Sequence, residues 1–199
     1  MSITGVEKYD LIADGFAERT WANLRFDMER RLSIATTWGP RLRPGDAVLE
    51  LGCGDGYLAD LFVKQRFNYH GVDFSPRMVA MAERRVGASG RQARFSIVEA
   101  GQLCLDEPVD GLVAYMGAFF TFVPGALPLL RRLRPWIRKK IIVDLNPRGK
   151  TTLRQGMDIL KEAGFVDVAW RPFLVPMTVE LPRGILKALS LCETVPGVR

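Results

Sequence analysis

The sequence predicts an α/β fold, a doubly wound, mainly parallel sheet with helices on both faces. Three observations predict it. Apolar runs of strand length alternate with stretches of helical character from residue 47 onward. The first of these runs, Ala47 to Leu51, is apolar enough to be a strand covered on both faces. Glycines then break the chain at the carboxyl end of that run, where open parallel sheets bind their ligands.

Before the sheet, Trp21, Leu24, Met28, Leu32, Ala35 and Trp38 recur at steps of three and four, which defines one apolar helical stripe leaning on the domain. Gly39-Pro40 ends that helix, and Pro44-Gly45-Asp46 turns the chain into the first strand. Strands are expected at 47–51, 69–73, 94–99, 111–116, 140–145 and 166–175, and helices at 57–65, 76–86, 125–137, 151–163 and 184–193. Ser75-Pro76 suits a helix start, because proline at the first helical position loses no hydrogen bond, and Thr151 or Thr152 is expected to serve likewise. Pro172, Pro176 and Pro182 push the last strand to an edge.

The 199 residues suit one domain with its own core. Hydrophobic residues make up 48% and charged residues 25%, as in a soluble globular protein. No apolar run reaches the roughly 18 to 20 residues that span a bilayer, and MSITGVEKYD lacks the basic and apolar regions of a signal peptide, so a cytoplasmic protein with no membrane partner is expected. Cys53, Cys104 and Cys192 form no C-x-x-C pair, which gives no zinc or redox site, and no metal is expected. The net charge of +6 gathers in part between Arg131 and Lys140, at the amino end of the fifth strand and opposite the glycine bend. A solvated helix end is the expectation there, and no nucleic acid partner.

The chemistry is concentrated in VLELGCGDGYLADLF, residues 48 to 62. Gly52, Gly54 and Gly56 allow a tight bend with room for a ligand against the backbone, and the next helix offers free N–H groups. The following strand ends at Asp73, an acid able to accept both hydroxyls of a ribose. A dinucleotide site shows G-x-G-x-x-G, but the spacing here is G-x-G-x-G and Glu50 precedes it. A negative charge there is unwelcome beside a pyrophosphate and suits a ligand with an ammonium group.

Glu50-Leu51-Gly52-Cys53-Gly54-Asp55-Gly56 followed by Gly71-Val72-Asp73-Phe74-Ser75 resembles the first two motifs of class I S-adenosylmethionine-dependent methyltransferases. The resemblance implies a Rossmann-like methyltransferase fold, S-adenosylmethionine as cofactor, and a small-molecule acceptor. It implies that Gly52, Cys53, Gly54 and Gly56 hold the methionine part of the cofactor, that Glu50 faces its amino group and that Asp73 binds the ribose. Phe74 and Met78 match positions that touch the adenine, and Glu99-Ala100 resembles a third motif at the adenine amino group. Tyr115 and Met116 stand where such enzymes place backbone near the sulfonium, and Tyr9 resembles a lid tyrosine. Residues 1–45 would then form an N-terminal helical lid and packing segment, and 46–199 an S-adenosylmethionine-binding α/β domain, together one globular unit.

Methyl transfer from a sulfonium is an in-line displacement that asks chiefly for alignment and exclusion of water. No catalytic residue is assigned; Tyr115, His70, Asn146 and Arg148 are the polar candidates near strand ends. Phe119, Phe120 and Phe122 are candidates for pocket wall or core. The resemblance excludes several acceptors through the residues just past the fourth strand. Tyr115-Met116-Gly117-Ala118 lacks the Asn/Asp-Pro-Pro-aromatic motif of base-amine enzymes, the acid of metal-dependent catechol enzymes and the glutamate pair of protein-arginine enzymes. Transfer to oxygen or nitrogen of a small organic acceptor is therefore expected, with a nucleic-acid or protein methyltransferase, or a non-catalytic S-adenosylmethionine-binding module, as alternatives. Nothing past Leu181 reads as the last strand usual in the family, so either the natural chain continues or the edge is built differently. An edge left open invites pairing with a second copy as a homodimer.

Overall fold

The computed structural model describes residues 5–91, 93–115, 125–145, 151–173 and 179–192. Three helices come first: α1 (Gly5–Ile12), α2 (Phe16–Thr20) and α3 (Leu24–Thr37). Alternation then begins with β1 (Ala47–Leu51), α4 (Tyr57–Lys64), β2 (Asn68–Asp73), α5 (Pro76–Gly87) and β3 (Arg94–Ile97). A 3-10 turn at Ala100–Gln102 leads to β4 (Val109–Ala114), α6 (Ala126–Leu133), a second 3-10 turn at Arg134–Trp136, β5 (Ile137–Val143), α7 (Leu153–Glu162) and α8 (Arg183–Cys192).

The five described strands form one sheet in the order β3-β2-β1-β4-β5, and every pairing is parallel. The order reverses between β1 and β4, the position that opens a crevice at the carboxyl ends of the strands. Alternate residues of β1 feed two cores. Val48 joins Phe62, Tyr69 and Val113 beneath α3, α4 and α5, while Leu49 and Leu51 join Leu112, Leu129, Leu130 and Leu133 beneath α6 and α7. With both faces covered, the strands read as the near-continuous apolar runs seen in the sequence.

Local chemistry sets the helix starts. Ser75 caps α5 by accepting from Met78 N at 3.1 Å, with Pro76 at the first helical position. Thr152 and Gln155 form a reciprocal capping box on α7. Two expectations need correction. The helix expected over 125–137 stops at Leu133, because Pro135 cannot extend it, and Ile137 already begins β5. The strand expected at 166–175 is not formed over 166–173: Asp167 sits at φ 54, in the left-handed region, and Pro172 offers no N–H to a ladder.

Residues 171–173 and 179–181 instead lie against α3 and its flanks. Arg171 stacks on Trp38 at 4.8 Å, and Asn23, buried just ahead of α3, donates to Val179 O at 2.7 Å and accepts from Leu181 N at 3.0 Å. The basic cluster is largely engaged within the chain. Arg131 pairs with Glu162, Arg132 donates to Gly101 O and Leu103 O, and Lys139 pairs with Asp46. Lys140 donates to Trp38 O at 2.7 Å. Among the described residues, no helix is long and apolar enough to cross a membrane.

Candidate functional site

A cleft of about 740 Å³ lies over the carboxyl ends of β1, β2 and β4. Its floor is the glycine bend. Gly52 N and Cys53 N both donate to Val72 O, at 2.8 and 3.1 Å, which turns the chain sharply off β1. Gly52, Gly54 and Gly56 all have positive φ. At Gly54 a Cβ would meet no protein atom, so the position opens onto free space, whereas at Gly56 it would lie 2.6 Å from Ala82 Cα. Gly54 thus leaves room for a ligand, and Gly56 allows the bend to pack on α5.

Asp73 ties the bend to the end of β2. Its Oδ2 accepts from Gly54 N at 3.0 Å and its Oδ1 from Ser75 N at 2.9 Å. Burial raises its pKa, and these N–H donors work against that rise. Glu50, 4% exposed at the end of β1, accepts a hydrogen bond from the Tyr69 hydroxyl. Burial pushes the Glu50 carboxyl up to about 8, and Tyr69 and Arg31 hold it back. Cys53 is also buried, and its thiol is pushed up by burial and by Asp73, which makes it no nucleophile.

The roof comes from the N-terminal helices. Tyr9 packs edge-on against Phe74 at 5.4 Å, and Phe16 against Trp21 at 5.4 Å. Asp10 accepts from the Ser75 hydroxyl and from Arg77 N, and Asp14 pairs with Arg77. Asp55 anchors the other side: its Oδ2 accepts from Ala17 N at 3.3 Å and from Arg85 at 3.1 Å, and Arg85 also pairs with Glu18. The acid inside the bend therefore fastens α2 to the glycine loop.

Of the residues singled out in the sequence, Tyr9, Glu50, Gly52, Cys53, Gly54, Asp73, Phe74, Met78, Glu99, Ala100 and Tyr115 all line this cleft. Gly56 does not line it and serves the packing of the bend. His70 is not there either. It lies on β2 with Nε2 2.9 Å from Ser96 Oγ on β3, and its place outside the cleft lining withdraws it as a catalytic base. The Tyr115 hydroxyl donates to Arg31 O at 2.8 Å and burial raises its pKa strongly; its ring forms wall, but its oxygen is no base. Met116, Asn146, Arg148 and Phe119, Phe120 and Phe122 lie outside the described residues.

Sequence reasoning missed the contribution of α3. Met28, read as core stripe, also lines the cleft, as do Arg31 and Trp21, the last lying just after α2 and outside the helix the stripe predicted. Arg31 is buried and bridges Asp27, at 3.0 Å from Nε, to Asp144, at 2.8 Å from Nη1. Burial opposes its charge, and the two carboxylates overcome that and keep it protonated. The i,i+4 spacing of Asp27 and Arg31 beside the apolar stripe was the available signal. Among the described residues no group of three potential metal ligands gathers.

Residues 48–140 match a family described as methyltransferase domain. Among curated proteins, a 2-phytyl-1,4-naphtoquinone methyltransferase of Trichormus variabilis is 35% identical over 112 residues, 52% of this chain and 48% of that protein. A protein-L-isoaspartate O-methyltransferase of Methylorubrum extorquens is 29% identical over 139 residues, 67% of this chain and 58% of that protein. The chain thus spans about half the length of these curated relatives. Among solved structures, a TehB-like SAM-dependent methyltransferase from Corynebacterium glutamicum superposes with a TM-score of 0.62 at 20% identity, covering 77% of this chain and 83% of that one.

Proposed function

We propose that the chain is a class I S-adenosylmethionine-dependent methyltransferase that transfers a methyl group from S-adenosylmethionine to an oxygen or nitrogen of a small organic acceptor, a reading supported by the methyltransferase-domain match over 48–140 and by the fold. The observation that carries the proposal is the convergence of a buried acid, a side-chain-free bend and a second acid on one cleft: Glu50, Gly54 and Asp73.

These groups fit the cofactor. Glu50 would hold its ammonium, the open space at Gly54 would take the aminopropyl chain, and Asp73, an acceptor with about four lone-pair sites, has capacity for a ribose hydroxyl beyond its backbone N–H partners. Tyr9, Phe74 and Met78 supply apolar walls for the adenine, with Glu99 at the rim. Bound there, the cofactor would supply an electrophilic methyl group for in-line displacement. The protein's part is alignment and exclusion of water. Phe16, Trp21, Met28 and Tyr115 surround the end of the cleft nearest α3 with apolar surface. Among the described candidates, neither the Tyr115 hydroxyl nor His70 is placed to take a proton from an acceptor in the cleft.

The roof of α1 and α2 supports a small acceptor over a macromolecule. Tyr9, Phe16, Ala17 and Trp21 all line the cleft, leaving little room for a folded chain or a duplex to approach. The likeness to an isoaspartate enzyme, named for a protein substrate, favours the rival reading. Incubation with methyl-labelled S-adenosylmethionine and separate panels of phenols, amines and carboxylic acids, and of RNA and protein, decides between them. Label in a small molecule supports the proposal. Label only in RNA or protein overturns the acceptor class, and cofactor binding with no transfer to any panel favours a non-catalytic module.

A further inference from the structure

Resting on the methyltransferase reading, we propose that Arg85, which does not line the cleft, is a positioning residue: it braces the glycine bend from outside, locks α2 to it, and so sets how long a bound nucleoside stays. Gly52, Gly54 and Gly56 leave the bend with little stiffness of its own. On the cleft side it is held by Asp73, through Gly54 N. On the other side it is held from α5. Gly56 lies against Ala82, and one turn further along the helix Arg85 Nε donates to Asp55 O at 3.0 Å while Nη2 donates to Asp55 Oδ2 at 3.1 Å. One planar guanidinium thus grips the backbone and the side chain of the same residue, which fixes its orientation.

The same Nη2 pairs with Glu18 of α2 at 3.0 Å, and Asp55 Oδ2 also accepts from Ala17 N at 3.3 Å. Since α2 has five residues, too few to hold a helix alone, its place at the cleft depends on contacts such as these. Phe16 and Ala17 of α2, Asp55 in the bend and Tyr57 just after it all line the cleft, and the Tyr57 ring lies under the guanidinium at 5.1 Å. Roof and floor therefore share one cation. Removing it leaves the buried Asp55 carboxylate without its counter-charge, an arrangement costly enough to make the bend and α2 shift apart.

The test follows the release of S-adenosylhomocysteine from the full chain by surface plasmon resonance. Arg85→Met keeps an apolar stem and removes the guanidinium. Two controls flank it: Val86→Ala removes core packing from the same helix, and Arg84→Met removes an equal charge from an exposed neighbour. Release is expected to be roughly three- to tenfold faster in Arg85→Met and unchanged in both controls, although Val86→Ala melts at a lower temperature. Glu18→Gln is expected to speed release as well, with no further gain when combined with Arg85→Met. Unchanged release in Arg85→Met, equal acceleration in either control, or additive effects in the double variant overturns the brace. Should Arg85→Met fail to fold, the Arg85 Nε–H signal of the unaltered protein answers: exchange with water slowed by bound S-adenosylhomocysteine supports the brace, and unchanged exchange overturns it. If the unaltered protein binds no S-adenosylhomocysteine at all, the methyltransferase reading itself fails, and the brace with it.

Discussion

Glu50 is the residue whose chemistry is most changed by its surroundings. Enclosed at the end of β1, its carboxyl is pushed up to about 8 by burial. A group with its folded pKa raised from 4.5 gives stability that is complete below the lower value and lost as pH climbs through the higher one. The thermal midpoint of the ligand-free protein is therefore expected to fall between about pH 4.5 and pH 8, and Glu50→Gln to flatten that fall; calorimetric melts of both proteins check it. Affinity for S-adenosylmethionine should move the other way and rise over the same range, because the ionised carboxylate is the form that holds an ammonium. At Asp73 the structure adds a duty that the sequence did not disclose. Its two oxygens hold Gly54 N and Ser75 N, so Asp73→Asn turns an amide NH₂ toward one of these donors. The variant should lose roughly 1.5–3 kcal/mol of S-adenosylhomocysteine binding, read by titration, together with some thermal stability.

Elements were legible where punctuation is local. Ala47–Leu51 lies between a Pro-Gly-Asp turn and the first glycine, and β1 occupies those same residues. The start of β5 was not legible, since Arg138, Lys139 and Lys140 disguise a strand whose partner lies on β4. The 166–173 stretch has strand-like composition, yet Val166 is 78% exposed and the chain turns away to lie along α3. α1 depends on contacts distant in sequence: Asp10 reaches Ser75 and Arg77 at the start of α5. Asp10→Ala is expected to speed hydrogen exchange throughout α1 and to weaken S-adenosylhomocysteine binding several-fold, with global stability altered by roughly 1 kcal/mol. The bend is less forgiving. Gly56 has φ 78, and an added Cβ would meet Ala82 Cα, so Gly56→Ala should cost roughly 1–3 kcal/mol or more in a denaturant titration.

At the scale of the molecule, the strand order β3-β2-β1-β4-β5 sets the glycine bend and Asp73 side by side at the switch between β1 and β4. That half of the site was legible because its parts lie close together along the chain. The half nearest α3 was hidden because it is assembled across long separations: Arg31 and Asp144 are 113 residues apart, and Tyr115 bonds to Arg31 across 84. Asp27 stands one turn from Arg31 on α3, but Asp144 arrives from beyond β5, and a buried ion pair is stable only when the fold brings its members together. α1 to α3 thus do more than cover the sheet, since they supply the roof and one wall of the cleft. Titration of the full chain with S-adenosylhomocysteine in a calorimeter tests this arrangement most directly. The account predicts saturable binding of one nucleoside per chain, sharply weakened in Asp73→Asn; the absence of heat up to millimolar ligand, or binding indifferent to Asp73, would contradict it.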